Sequence, residues 1–296
     1  MRPVPSALRR SVFHWAVGAL AGLALAPAAF AQAPAYPSKP ITIVVGYPPG
    51  GSTDLMGRMV GTELSNRLGQ PVVIENIGGA GGAIGAQKVA SAQPDGYTLL
   101  VGASNELAIN KLVTKKVKYD IKDFTAIGLV ASQPLVLVAS PASGVKNAAD
   151  FIQLVSKNPG KYSYGSSGVG TSLHLAGEML KSQGKLFMTH IPYRGVAPLT
   201  NDLVGNNLEF GVFVLSSGLP HIKSGKVIAL GTTEAKRSPI TPDIPALAES
   251  PQFKNVDIGV WFALMAPANL PKPVHDKLRK ALTDALQSPE FRKKLE

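Results

Sequence analysis

The sequence predicts an α/β protein built as two lobes. Short apolar runs of strand length alternate with helix-like stretches, and those stretches repeat their apolar residues at helical spacing. The chain has 296 residues, 45% of them hydrophobic, enough for one large core or two ordinary domains. Alternation of this kind predicts largely parallel sheets. Composition marks no boundary between the lobes, and no internal repeat is visible.

The chain opens with a leader-like segment. Arg2, Arg9 and Arg10 make a basic start, Val12 to Ala29 an apolar core, and Ala29-Phe30-Ala31 a small-x-small cleavage site. Pro27 and the alanine-rich end suit cleavage better than retention as an anchor, so the mature chain is expected to begin near Gln32 after general secretory export. Cleavage removes three arginines and lowers the formal net charge from +11 to +8. The basic residues are scattered, with short clusters such as Lys115-Lys116 and Arg292 to Lys294 and no interleaved aromatics. Nucleic acid is therefore disfavoured, and a diffuse field that suits small anions remains. With no cysteine, a disulfide scaffold, a thiolate metal site and a cysteine nucleophile are all excluded.

The first strand is "ITIVV" from Ile41, followed by the loop "GYPPGGSTD". Leu55, Met56, Met59, Val60, Leu64 and Leu68 then recur on one helical face until Gly69 supplies a stop. Further strands are "PVVIEN" from 71, "YTLLVGA" from 97, "LVLVA" from 135, "FGVFVL" from 210, "KVIALGTT" from 226 and "VWFALMA" from 260. Leu173, Ala176 and Leu180 mark a helix ended by Gly184. Another starts at Pro273 and carries Val274, Leu278, Ala281, Leu282 and Ala285.

Two loops carry the chemistry. A strand, then "GYPPGG", then Ser52 or Thr53 as the cap of a helix brings free backbone N–H groups and the helix dipole to one point, which suits an anion. A triphosphate does not fit, because a Walker loop needs lysine where the chain has Ser52. Asp54, in the first turn, serves the same dipole. The second loop, "YGSSGVGTSLH" from Tyr164 to His174, again sets glycines and hydroxyls before a helix. Taken alone, either loop is equally a tight turn with an ordinary cap. If they come from two lobes, their helix N-termini can face each other across a cleft and hold one carboxylate between them.

Other patterns are weaker. In "GGAGGAIGA" (Gly78 to Ala86) a dinucleotide fingerprint starting at Gly79 would need glycine at 84, where the chain has Ile84, so a helix packed closely on a sheet is the better account. A nucleophile elbow around Ser167 fails at Val169. His174 and Glu178 sit one helical turn apart without a second nearby histidine to complete a metal site. His190, His221 and His275 read as surface or core residues, and so, taken singly, do Tyr47, Tyr193, Phe213 and Trp261. An exported enzyme acting on carboxylates is the competing class, against which the lack of a nucleophile–base pair or metal cluster counts.

Several stretches match one pattern in order: "KPITIVVGYPPGGSTD", "QPVVIENIGGAGGAIGA", "PDGYTLLVG", "PGKYSYGSSGVGTSLHLAGEML", "IPYRGVAPLTNDLVG", "LPHIKSGKVIAL", "KRSPITPDIPALAE" and "WFALMAPANLPKP". From about Ser38 onward the chain closely resembles the Bug family, the extracytoplasmic solute receptors of tripartite tricarboxylate transporters. The resemblance implies a type II periplasmic binding protein, two α/β lobes joined by a hinge with two crossover strands. Lobe 1 would be 36–132 with 233–296, and lobe 2 would be 133–232. It implies a small carboxylate ligand, often held through ordered water, with no cofactor and no metal. The residues it assigns are Tyr47, Gly51, Ser52, Thr53 and Asp54 of the first loop and Ser166, Ser167, Gly168, Gly170, Thr171 and Ser172 of the second. Ser104, Tyr193 and Phe213 would line the same cleft.

The implied partners are the membrane subunits of the transporter, or alternatively a sensor protein, and the implied receptor is a periplasmic monomer. Where many relatives have an acidic residue, this chain has Phe213 followed by Val214, which disfavours an amine-bearing ligand and favours an apolar or aromatic acid. The resemblance further implies a final strand and helix on lobe 1 after Glu296.

Overall fold

The computed structural model describes residues 35–295, so the leader and its cleavage site lie outside the described residues. Nine strands follow the order β2-β1-β3-β9-β4-β7-β5-β6, with β8 also paired to β4. In the first half, β1 (Ile41–Val45), β2 (Val72–Asn76) and β3 (Thr98–Ala103) are connected through α1 (Ser52–Leu68) and α2 (Ala83–Ala90). A short helix, α3 (Asn110–Val113), leads to the long strand β4 (Phe124–Ala139). The second half holds α4 (Ala148–Lys157), β5 (Ser163–Ser166), α5 (Ser172–Gly184), β6 (Thr189–Pro192), α6 (Val196–Val204), β7 (Phe210–Val214), α7 (Leu215–Lys223) and β8 (Ile228–Thr232). The chain then returns to β9 (Gly259–Pro267), α8 (Lys272–Leu286) and α9 (Pro289–Leu295).

β4 belongs to both halves. Residues Phe124 to Pro134 pair with β9, whereas Leu135 to Ala139 pair with β7 and β8. The second passage lies beside the first: Thr233 N–H donates to Leu135 O, and Ile258 N–H donates to Thr233 O. Two irregularities of register, between Ala126 and Gly128 and between Leu129 and Ala131, let the strand turn along its length.

The expectation of largely parallel sheets holds for only part of the structure. β1–β2, β1–β3, β5–β6 and β5–β7 are parallel, while β4 and β9 run antiparallel to every partner. The parallel pairs belong to units with a crossover helix, whereas β4 itself runs from one half into the other and β9 is reached by the return passage from β8.

Both faces of the sheets are covered, which explains why the strands read as nearly continuous apolar runs. Ile43 and Val45 join the largest core cluster, and Val44 between them faces a second one with Ala86, Val89 and Leu100. That large cluster takes Met56, Val60 and Leu64 from α1 together with Phe151, Tyr164 and Phe210 from the second half. Leu55, placed on the apolar face by its spacing, is instead 41% exposed. The glycine-rich stretch packs as its composition suggests: a Cβ on Gly85 would lie 2.8 Å from Gly46 Cα, so α2 can approach β1 only without one.

Candidate functional site

The first loop leaves β1 at Val45 and enters α1. Gly51, not Ser52 or Thr53, takes the N-cap position, with extended backbone and no side-chain cap. The reason is the brace behind it. The Asp54 carboxylate accepts from Gly50 N–H (3.0 Å), Arg58 Nε (3.0 Å) and Asn76 Nδ2 (2.9 Å), which shapes the turn from within. Burial raises the Asp54 pKa, but those hydrogen bonds outweigh it and hold the carboxyl below its ordinary value. Leu55 N–H makes the first intrahelical bond, to Gly51 O, so the amides of Ser52, Thr53 and Asp54 are left for another acceptor.

In the second loop Thr171 caps α5, its Oγ1 accepting from His174 N–H at 3.3 Å and donating to Gly168 O at 2.8 Å. Gly168 (φ 139°) and Gly170 (φ 80°) supply the left-handed turns that present the loop. Ser166 turns inward, with Oγ 2.8 Å from His190 Nε2, and the rings of His190 and His174 stack at 4.2 Å. Burial lowers both imidazole pKa values, that of His190 to about 4 with help from His174, so both rings are neutral near pH 7. Glu178 accepts from Tyr164 Oη and Lys181 Nζ, which ties it into the surface of lobe-forming α5.

The two loops meet. Asn105, two residues after β3, accepts at Oδ1 from Ser172 N–H (2.7 Å) and Ser172 Oγ (2.8 Å), and it donates through Nδ2 to Tyr47 Oη (2.8 Å). Ser104 Oγ lies 3.0 Å from Ser172 Oγ. Tyr47 Oη lies 2.9 Å from Gly81 O and 3.1 Å from Glu106 Oε2, while Ala103 N–H donates to Glu106 Oε1. Burial pushes the Glu106 carboxyl up to about 7 against the pull of these donors. Burial, and then Glu106, keeps the Tyr47 hydroxyl well above its ordinary range.

Between the loops lies a cavity of about 20 Å³, room for little more than one water-sized centre. Tyr47, Gly51, Ser52, Thr53, Asn105 and Ser167 form its polar wall. Pro48, Leu173, Val196, Val214, Val260 and Phe262 form its apolar wall, and no charged side chain lines it. The hydroxyls of Ser52, Thr53 and Ser167 take no part in the networks just described. The halves are close here: a Cβ on Gly195 would lie 3.1 Å from Pro48 Cδ.

The sequence-assigned residues therefore divide. Tyr47, Gly51, Ser52, Thr53 and Ser167 line the cavity, and Ser104 and Ser172 bridge the halves beside it. Asp54, Ser166, Gly168, Gly170 and Thr171 shape the loops from behind. Tyr193 donates its hydroxyl to Asp202 (2.6 Å) and its N–H to Ser166 O, joining the second loop to α6. Phe213, expected in the cleft, does not line the cavity: it is fully buried among Val136, Leu199 and Leu215, and strand alternation turns its neighbour Val214 to the cavity instead. Sequence reasoning passed over Asn105, Val196, Val260 and Phe262. For Asn105 a signal existed, the polar Ser104-Asn105-Glu106 that interrupts an apolar strand end.

A sheet divided by a shared strand, with helix N-terminal loops of both halves at one cavity, defines a solute receptor of the periplasmic binding protein class. Residues 56–296 match the family model described as "Tripartite tricarboxylate transporter family receptor", and the chain belongs to that family. It is similar to the solved periplasmic binding protein BugD, with 37% identity, a TM-score of 0.83, and 88% of this chain and 87% of that one covered. It is similar also to an R. palustris protein with adipate (31% identity, TM-score 0.85, coverage 88% and 87%). A third similar structure is MatC from Rhodopseudomonas palustris with bound malate (30% identity, TM-score 0.83, coverage 88% of each chain). Among the described residues no helix is long and apolar enough to cross a membrane.

Proposed function

We propose that the chain is a periplasmic receptor, exported by its leader, that closes as a monomer over a small organic carboxylate and delivers it to the membrane subunits of a tripartite tricarboxylate transporter. Its lobes are 36–132 with 233–296, and 133–232. No bond is made or broken in the ligand. The observation that carries this is the cavity wall: unused α1 amides and the hydroxyls of Ser52, Thr53 and Ser167 converge from both halves on a site without cations. An anion there is held by several short-range donors and the α1 dipole rather than by an ion pair, as a buried charge requires.

Adipate and malate in the two R. palustris structures support a carboxylate as the ligand class. The opposite wall narrows the class. Leu173, Val196, Val214, Val260 and Phe262 offer nothing to an ammonium group, so the preferred ligand is a carboxylate with an apolar body and no amine. At about 20 Å³ the closed cavity admits no such molecule, so the lobes separate to take it up. The ligand, bridging both loops, then favours a closed form by binding it better than the open one.

The test is a thermal-shift screen of the mature protein against aliphatic, aromatic and amino acids, followed by titration calorimetry. Apolar mono- and dicarboxylates are expected to raise the Tm, and amino acids to leave it unchanged. A folded sample stabilised by no organic acid would refute the proposal.

A further inference from the structure

The two halves are bonded to each other directly, and the bonds converge on one side chain. Asn105 is 4% exposed and Ser172 fully buried, so solvent hardly screens the bonds that Asn105 Oδ1 accepts from Ser172 N–H (2.7 Å) and Ser172 Oγ (2.8 Å). Ser104 Oγ adds a third contact, 3.0 Å from Ser172 Oγ. All three join the segment after β3 to the first residue of α5.

The carboxamide of Asn105 is also aimed from behind. Its Nδ2 donates to Tyr47 Oη, which lies 2.9 Å from Gly81 O and 3.1 Å from Glu106 Oε2, all within the first half. That leaves Oδ1 as the end that reaches α5, where the Ser172 amide can only donate. Asn105 also opens a single π-helical turn, Asn105–Ile109, a rare conformation that recurs at functional sites. The seam beside it is tight: a Cβ on Gly170 would lie 2.7 Å from Val113 Cγ2.

These bonds are made in a form whose cavity is about 20 Å³, whereas a cavity that holds benzene measures roughly 150 Å³. Making the bonds and holding an organic acid between the loops therefore exclude each other. We propose that Asn105, with Ser104, is an autoinhibitory latch that fastens the second loop at Ser172 and holds the cleft shut against its ligand. The inference rests on the carboxylate reading only for what is kept out. An entering acid must break the latch, so apparent affinity falls in proportion to the share of protein that is latched.

The decisive experiment needs no acid. Spin labels at Asn66→Cys in α1 and Lys157→Cys in α4, two exposed positions in a chain without cysteine, report the separation of the halves by double electron–electron resonance. With no other change, one separation is expected. Asn105→Ala loses two bonds and leaves the Ser172 N–H unpaired in the shut form only, so the shut-to-open ratio should fall roughly a hundredfold and a second separation should appear. Ser172→Ala keeps the amide bond and the Thr171 cap, and it should open the cleft less. Circular dichroism establishes that each variant is folded. Identical separations in all three chains would overturn the latch.

Adipate is the probe for the second reading. By stopped flow its association with Asn105→Ala should be about tenfold faster than with the unaltered chain, and its Kd lower. Weaker binding would make Asn105 a ligand contact and overturn the proposal. Adipate that binds none of the chains counts against the carboxylate reading alone, and the spin-label result still decides the latch.

Discussion

Replacing both Ser52 and Ser167 with alanine tests the cleft most directly. Each hydroxyl faces the cavity, one from each half, and neither is committed to the protein's own networks. Gly51 holds the N-cap position, so Ser52→Ala removes no cap. A hydrogen bond from a neutral donor to a carboxylate contributes about 1.5–3 kcal/mol, so losing both should cost about 3–6 kcal/mol. At 1.4 kcal/mol per tenfold, affinity falls by roughly two to four orders of magnitude. The assay is titration calorimetry with the tightest acid from the thermal-shift screen, on wild type, both single variants and the double. Far-UV circular dichroism and the Tm of the ligand-free proteins should stay within error of wild type. A double variant that binds within about threefold of wild type, with its fold unchanged, removes these hydroxyls from the site and with them the proposal that an anion lies between the loops.

Three further outcomes are expected. Val214→Asp places a carboxylate in the apolar wall, so it should abolish binding of apolar acids and create binding of amino acids; unchanged selectivity in the screen would show that Val214 does not face the ligand. Glu106 has its carboxyl raised from 4.5 to about 7 by burial, so its contribution to stability is fully present below pH 4.5 and is lost as pH rises toward 7. Glu106→Gln should therefore flatten the pH dependence of urea unfolding across that window, by on the order of 3 kcal/mol, and an unaltered slope would contradict the assignment. Gly85→Ala forces a Cβ to within 2.8 Å of Gly46 Cα and should lower stability by about 1–3 kcal/mol in the same assay, whereas a neutral effect would mean that α2 is free to move off β1.

Local chemistry made much of this protein legible in its sequence. Apolar runs bounded by glycine and proline mark strands because burial on both faces leaves no room for alternation. Glycines and hydroxyls before a helix mark the second loop, where Thr171 proves to cap α5 and Gly168 and Gly170 take positive φ, because such roles depend on a residue and its immediate neighbours. The two anion-type loops were visible for the same reason.

What the tertiary structure alone decided concerns partners distant along the chain. Asp54 reads as a dipole companion, yet Asn76, 22 residues on, makes it a brace and moves the cap to Gly51. Ser172 reads as a hydroxyl for a ligand, yet Asn105, 67 residues earlier, has taken up both its amide and its hydroxyl. Phe213 and Val214 are indistinguishable as apolar strand residues until pairing with Val136 and Leu135 settles which one faces the cavity. Apolar pattern and capping preference are properties of a few adjacent residues. The direction of β4 and β9, and the meeting of two loops 120 residues apart, depend on which distant segments pair, and the backbone energy of a strand is nearly the same in either orientation.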